Sequence, residues 1–371
     1  MIQAEENGKT PPDLQSEIST GDAGSPRINH KVSARDVARL AGVSQSTVSR
    51  VLNNSKSGFI SEATRQRVLE AARQLGYTPN PIARALRGKR SHLLGLIVRE
   101  ISDTFFSRFI SELSTQARQL SYHIVLGHAE SDPQEALEMT DVLDTRHTDG
   151  VFILGDLHSD EAALEMMLQS NPAIVALCRG PSPNSVYTIN VDNFAGTNLL
   201  LDHLTNLGHR KLGFVDGGWL GDIRERREAF QEYVSAHGLP VDPKWVQVEE
   251  NSMEGGYRAM RCLLELPHRP TAVFAADDVM AIGVMKAIAD ARMTVPGDFS
   301  VVGFDNIEFS KYLNPALTTI HQPVDEMCRQ ALSLMLQLID QPECCPPQRV
   351  VRMLPRLIVR QSTGPAPAGR D

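Results

Sequence analysis

Several kinds of protein are excluded by what the 371 residues do not contain. Nowhere is there an apolar run of about 18 residues, so no membrane-spanning helix is expected. The first 30 residues carry Pro11, Pro12 and Pro26 but no basic start followed by an apolar stretch, and they read as a disordered tail rather than a secretory leader. Cysteine is scarce: Cys178, Cys262, Cys328, Cys344 and Cys345 show no C-x-x-C spacing. No disulfide framework follows, and a cytoplasmic (bacterial, nucleoid-associated) setting is expected. G-x-G-x-x-G after a strand, G-x-x-x-x-G-K-[ST], G-x-S-x-G and H-E-x-x-H are all missing. The eleven histidines are scattered without metal-ligand spacing. No enzyme, cofactor or metal site is therefore expected. Asp277 and Asp278 are adjacent, but neighbours at a strand end point apart and make a poor acid–base pair.

Charge is what the chain does have, and it is unevenly placed. The net charge is −8, yet Lys31 to His92 holds 12 Lys and Arg against 3 Asp and Glu. A basic block of about sixty residues inside an acidic protein offers polyanions a landing site.

That block reads as helix, turn, helix. Ser33 and Asp36 form a capping pair, and Val37, Leu40 and Ala41 share a helical face. Gly42 permits the positive φ of a tight turn, and Ser44 caps a second helix. There Val48, Val51 and Leu52 point inward while Gln45, Ser46, Ser49 and Arg50 point outward, which suits the major groove of duplex DNA. A third helix is expected from Ser61 to Leu75, with Val68, Leu69, Ala72 and Leu75 as its apolar stripe and Gly76 as its stop. After it, Asn80 can cap, Pro81 can open and Gly88 can close a helix of about seven residues, too short to be stable alone in water.

From Leu93 the pattern alternates. Apolar strands are expected at Leu93–Val98, Ile124–Leu126, Gly150–Leu154, Ala173–Leu177, Lys211–Val215, Val273–Ala276 and Ser300–Phe304, with helices between them. Such runs imply parallel sheets covered on both faces, with ligands beyond the carboxyl ends of the strands. Polar and aromatic residues gather at those ends: Asp103, Phe105, Asp277, Asp278, Asp305 and Asn306.

The string from Asp36 to Asn53 resembles the DNA-reading headpiece of the lactose-repressor (LacI) family almost position for position. Pro79 to Leu86 resembles that family's hinge. Val191–Asp192–Asn193, Leu207–Gly208–His209–Arg210–Lys211, Ala276 to Gly283, Val301 to Asn306 and Leu317 to Ile320 resemble its periplasmic-binding-protein-like core. The likeness runs from Val32 to about Thr363.

The resemblance implies an all-α helix-turn-helix headpiece (31–78), a hinge helix (79–91) and an α/β core of two doubly wound parallel-sheet subdomains (92–363). The chain would cross between the lobes near 192 and 321, with tails at 1–30 and 364–371. It implies a repressor that binds double-stranded DNA and is controlled by a small effector. Gln45 and Ser46 would read bases, with Ser44, Thr47, Ser49, Arg50 and Asn53 on bases or phosphates. Ala83 would belong to the hinge, and Leu86 would wedge into the minor groove of a near-palindromic operator, so that Leu86→Ala weakens operator binding more than about tenfold. Phe105, Arg226, Asp277, Asp305 and, at the pocket edge, Asp192 would meet the effector. Phe105 could instead be core, and Asp278 is expected to cap the helix that holds Met280. Arg226 is placed just before the helix holding Phe230.

Departures from the family's pattern stand at Ala229, Cys178 and Asp277, where glycine, aspartate and asparagine are common. The extra carboxylate disfavours an anionic effector unless Arg179 or Arg226 offsets it, so a neutral sugar or polyol is expected. No heptad repeat follows Thr363, and a homodimer is expected. The rival reading, a transport binding protein, lacks both a leader and a reason for the headpiece.

Overall fold

The computed structural model divides into two compact units, residues 1–79 and 80–371. It describes residues 32–52, 60–77, 90–129, 138–139, 143, 148–156, 168, 173–179, 186–218, 220–343 and 348–367. Asn53, Ala83 and Leu86 and nearly all of the expected hinge lie outside those residues.

The first unit is built from α1 (Ala34–Ala41), α2 (Gln45–Leu52) and α3 (Glu62–Gln74). Each begins where a side chain can satisfy free helix-end groups. Asp36 accepts from the Ser33 N–H at 3.0 Å and the Ser33 hydroxyl at 2.7 Å. The Ser44 oxygen accepts from the Thr47 N–H at 3.1 Å, and Ser61 accepts from the Thr64 N–H at 3.3 Å. Gly42, at φ +64°, makes the turn between α1 and α2 in a region that costs other residues energy.

Val37, Ala38, Ala41, Val48, Val51, Val68, Ala71 and Ala72 form the core of this unit. Two expected core leucines are not in it: Leu40 is 50% and Leu69 38% exposed. Three short helices approach closely only over small side chains, so Ala38 and Ala71 take the contact positions and the leucines turn outward.

In the second unit the described residues form two parallel sheets and a two-stranded strap. The first sheet contains β1 (Leu93–Val98), β2 (His123–His128), β3 (Gly150–Leu154), β4 (Ile174–Leu177), β5 (Tyr187–Val191) and β11 (Val350–Met353), in the order β11-β5-β4-β3-β1-β2. The second contains β6 (Leu212–Asp216), β7 (Val246–Val248), β8 (Ala272–Ala275) and β9 (Ser300–Val302), in the order β7-β6-β8-β9. Helices α4 (Thr104–Gln119) and α9 (Val324–Asp340) belong with the first sheet. Those belonging with the second are α5 (Asn193–Asn206), α6 (Gly221–Ala236), α7 (Met253–Glu265) and α8 (Asp278–Asp290). Strands β3 and β4 are buried along their whole length, as continuous apolar runs covered on both faces must be.

The order in which strands are added reverses beside β1 in the first sheet and beside β6 in the second, because β1 pairs with both β2 and β3 and β6 with both β7 and β8, all in parallel. Crevices for ligands open at such points.

The described chain passes between the sheets three times. It leaves the first after β5, returns through β10 (Thr319–His321), and leaves again after β11 through β12 (Arg356–Ile358). The third passage, near 354, was not foreseen from the sequence. β10 and β12 pair antiparallel, and the Asp192 N–H donates to the Met353 carbonyl at 2.8 Å, so each passage is bonded to a neighbour. Beyond β12 the chain seals the second lobe. Val301 N–H donates to the Ser362 carbonyl at 2.9 Å, and His209 bonds Ser300 at 2.9 Å and the Gly364 carbonyl at 3.1 Å.

Candidate effector cleft and DNA-reading helix

A cavity of about 580 Å³ lies between the carboxyl ends of the two sheets. Arg99, Glu100, Asp103 and Thr104, following β1, line one wall. Gly217, Gly218 and Leu220 after β6, Glu249 and Asn251 after β7, and Val279 after β8 line the other. Three of these residues each carry a buried polar atom, Arg99 Nε, Thr104 Oγ1 and Asn251 Oδ1, that has no hydrogen-bond partner in the protein. The lining is rich in charged and amide side chains, which suits a hydrogen-bonding guest. The sequence reading missed Arg99, Thr104 and Asn251; all three sit in loops or at a helix start, where no periodicity marks them.

Arg226, on α6, is 1% exposed. Its Nε donates to Asn193 Oδ1 at 2.9 Å and one terminal nitrogen to the Ala276 carbonyl at 2.7 Å. The other terminal nitrogen lies 3.1 Å from Asp222 and 3.4 Å from Asp305, and the guanidinium lies 3.8 Å from the centre of the Phe304 ring. Arg226 is not ahead of the helix that carries Phe230 but inside it, one turn away on α6.

Asp305 also accepts from Gln322 Nε2 at 2.7 Å and sits at φ +105°, a conformation rare for any residue but glycine. Burial, only partly countered by Arg226 and reinforced by Asp277, Asp222 and Asp103, pushes its carboxyl up to about 8. Burial likewise lifts Asp277 to about 6. Arg226 keeps its charge: burial opposes it, but Asp305 and Asp222 more than offset the penalty. Burial raises the Cys178 thiol well above its usual range, and the Asp222 and Asp305 carboxylates add to this, so the thiol stays protonated.

The other expected effector residues are placed as follows. Phe105 is 5% exposed and packs edge-on against Phe109 at 5.3 Å, in the core beneath the cavity wall. Asp192 caps α5, accepting from the Ala195 N–H at 2.9 Å. The cap of α8 is Asp277, which accepts from the Met280 N–H at 2.7 Å. Asp278, expected in that role, is instead the first helical residue; it accepts from Ile307 N–H at 2.9 Å and the Thr319 hydroxyl at 2.5 Å. A cap precedes the first helical residue by definition, so the capping carboxylate is the one before Asp278. None of Phe105, Arg226, Asp277, Asp305 or Asp192 lines the cavity itself. Arg179, considered as an offsetting charge, is buried beside Asp156 at 3.6 Å.

In the first unit α2 turns Val48 and Val51 into the core and leaves Gln45, Ser46 and Arg50 exposed, with Thr47 and Ser49 half-buried. The Ser44 oxygen also lies 2.7 Å from Ser46 Oγ and 2.9 Å from Thr47 Oγ1, so a row of hydroxyls marks the helix start. Free N–H groups and hydroxyls at a helix N-terminus suit phosphate oxygens.

A helix-turn-helix unit on the same chain as two α/β lobes facing a polar cavity defines a ligand-responsive DNA-binding regulator. Residues 33–80 match the profile of bacterial regulatory proteins, lacI family, and residues 201–363 match the periplasmic binding protein-like domain. The HTH-type transcriptional repressor PurR of Mannheimia succiniciproducens is 31% identical over 329 residues, 88% of this chain and 97% of that protein. The HTH-type transcriptional repressor CytR of Escherichia coli is 35% identical over 305 residues, 81% and 88% of the two chains. The crystal structure of the Lac repressor dimer bound to operator and the anti-inducer ONPF matches with a TM-score of 0.79 and 27% identity, covering 90% of this chain and 99% of that one. The transcriptional regulator CelR–cellobiose complex matches at 0.66 and 28%, covering 89% and 99%. The chain belongs to the LacI family and is a DNA-binding transcriptional repressor with an effector-binding core.

Proposed function

We propose that the effector is a small, non-anionic polyhydroxylated molecule, a neutral sugar or polyol, bound between the lobes, and that its binding changes the grip of a homodimer on a near-palindromic operator. The observation that supports this most is the cavity lined on both walls by polar side chains, Glu100, Asp103 and Thr104 across from Glu249, Asn251 and Ser252. Sugar hydroxyls both donate and accept, so one guest can bond to both walls and favour closure of the lobes.

The lining carries Glu100, Asp103, Glu249 and Glu250 against Arg99, which disfavours phosphates and carboxylates. The related CelR structure holding cellobiose lends the sugar reading support. In this reading Arg226, Asp277 and Asp305 form the floor of the site, Phe105 backs the wall, and Asp192 holds the first passage between lobes. Gln45 and Ser46 read base edges; Ser44, Thr47, Ser49, Arg50 and Asn53 hold phosphates or bases. Ala83 and Leu86 would complete the contact from the hinge.

The domain limits follow the sequence reading, with a tail at 1–30, except at the carboxyl end: Gly364 N–H donates to Ser300 Oγ and Ala366 N–H to the Leu207 carbonyl, so the core extends past 363 and the expected tail at 364–371 starts too early. The protein works in the cytoplasm on DNA and turns over no substrate; no described helix is long and apolar enough to cross a membrane.

The test is selection of bound DNA with and without cellobiose, D-ribose and glucose 6-phosphate, alongside calorimetric titration of the same compounds. Binding of a neutral sugar with a shift in operator affinity is the expected result. Binding of the phosphate ester alone overturns the ligand class.

A further inference from the structure

We infer that Glu225 is a positioning residue for Arg226, acting through the side-chain amide of Asn193. This rests on the reading of Arg226 as part of the effector site. Glu225 is 2% exposed on α6 and does not line the cavity. Its carboxylate accepts from Asn193 Nδ2 at 2.8 Å, and Asn193 Oδ1 in turn accepts from Arg226 Nε at 2.9 Å. From the first lobe, Arg352 on β11 reaches the same carboxylate with both terminal nitrogens, at 2.8 and 3.2 Å. The four residues thus form a relay that starts on one sheet and ends under the cavity.

The chemistry of the relay lies in its polarity. An asparagine amide has a donor end and an acceptor end of the same shape, and either can face a neighbour. A carboxylate only accepts, so Glu225 forces the Nδ2 end toward itself and the Oδ1 end toward Arg226. That orientation fixes Nε and with it the plane of the guanidinium, whose fork then meets Asp222 and Asp305 over the Phe304 ring. Gly196, one turn into α5, lets this ring approach: a Cβ there would lie 2.8 Å from it. Arg226 Nε–H, a donor only, takes the Oδ1 end, so the amide is gripped at both ends only while position 225 supplies an acceptor.

Glu225→Leu is the discriminating variant and Glu225→Gln its control. Leucine offers Asn193 no acceptor, so the amide is held from the Arg226 side alone. In Glu225→Gln one amide oxygen at the place of Oε2 still accepts from both Asn193 Nδ2 and Arg352, as Glu225 Oε2 does. The readout is the Nε–H signal of Arg226 in full-length protein labelled with 15N-arginine, assigned by its loss in Arg226→Lys, with no ligand added.

In Glu225→Leu this signal is expected to shift and its solvent exchange to quicken by about tenfold or more. In Arg352→Met it stays protected, because Glu225 still orients Asn193, although the fold loses stability. In Glu225→Gln it also stays protected although the charge of the ion pair is gone, a rescue that a merely structural ion pair would not give. An unchanged Arg226 signal in Glu225→Leu, or exposure in Glu225→Gln equal to that in Glu225→Leu, overturns the inference. Should Glu225→Leu not fold, Asn193→Ala keeps the Glu225–Arg352 pair and must expose the same Nε–H; persistent protection there overturns it equally. Effector response in Arg226→Ala tests the underlying reading separately, since the Nε–H signal is read without effector.

Discussion

The two sites of this repressor are built in opposite ways. On α2 the side chains assigned to DNA stand in solvent, and the helix is held by Val48 and Val51 on its other face. Arg226, by contrast, is buried, and each of its nitrogens has a partner within the protein. A residue of the first kind can change without disturbing the fold, while one of the second kind is part of the fold. Under the proposed assignment, recognition of DNA is free to vary in this architecture, and recognition of the effector is bound up with stability.

The sharpest test of that contrast is Arg226→Ala. Removing one partner of a buried charge cluster leaves Asp222 and Asp305 facing each other without a cation. Loss of about 3–5 kcal/mol of unfolding free energy is expected in urea titrations, together with loss of effector response. A variant that loses the response but keeps full stability breaks the comparison.

Next comes Asp305→Asn. The Asp305 carboxyl is raised from 3.8 to about 8, so between those values the folded protein holds a proton that the unfolded chain lacks. Stability from this group is full below about pH 4 and is lost as pH rises through about 8. Asp305→Asn should flatten the fall in unfolding midpoint across that range; an unaltered pH profile would refute the assignment.

On the exposed side, Gln45→Ala should weaken binding to the preferred operator by about 1–3 kcal/mol and relax preference at one base pair, read by fluorescence anisotropy. Its unfolding free energy should stay within about 0.5 kcal/mol of the parent. The smallest effect belongs to Ser61→Ala, which removes the cap of α3 and should cost the headpiece about 1 kcal/mol, read by its thermal transition.

Much of the local structure was legible because it is written locally. Ser33 with Asp36, Gly42, Ser44 and Ser61 mark helix ends within a few residues of where they act, and the β1, β3 and β6 runs announce themselves by unbroken apolarity. Strands β5, β7, β10, β11 and β12 did not: they are three to five residues long, and several carry polar or charged residues because they lie at edges or in the strap. Leu40 and Leu69 were misread because periodicity names a face but not how close the next helix comes. The cleft was the least legible part. Arg99, Asn251, Glu225 and Arg352 come from four remote segments, and only the folded chain brings them to the same end of the core. The misplaced cap at Asp278 has the same root, since one residue of offset decides which carboxylate caps the helix and which reaches Ile307 and Thr319.

Three hydrogen-bonded passages between the lobes behave differently from two free ones. A pair of separate cords can twist, but a band laced side to side, as Asp192 is to Met353 and β10 to β12, resists torsion and bends about one line. In the lobe closure proposed above, such a band favours a swing like that of a door on a long hinge, with the guest setting how far the door travels more than the direction it takes.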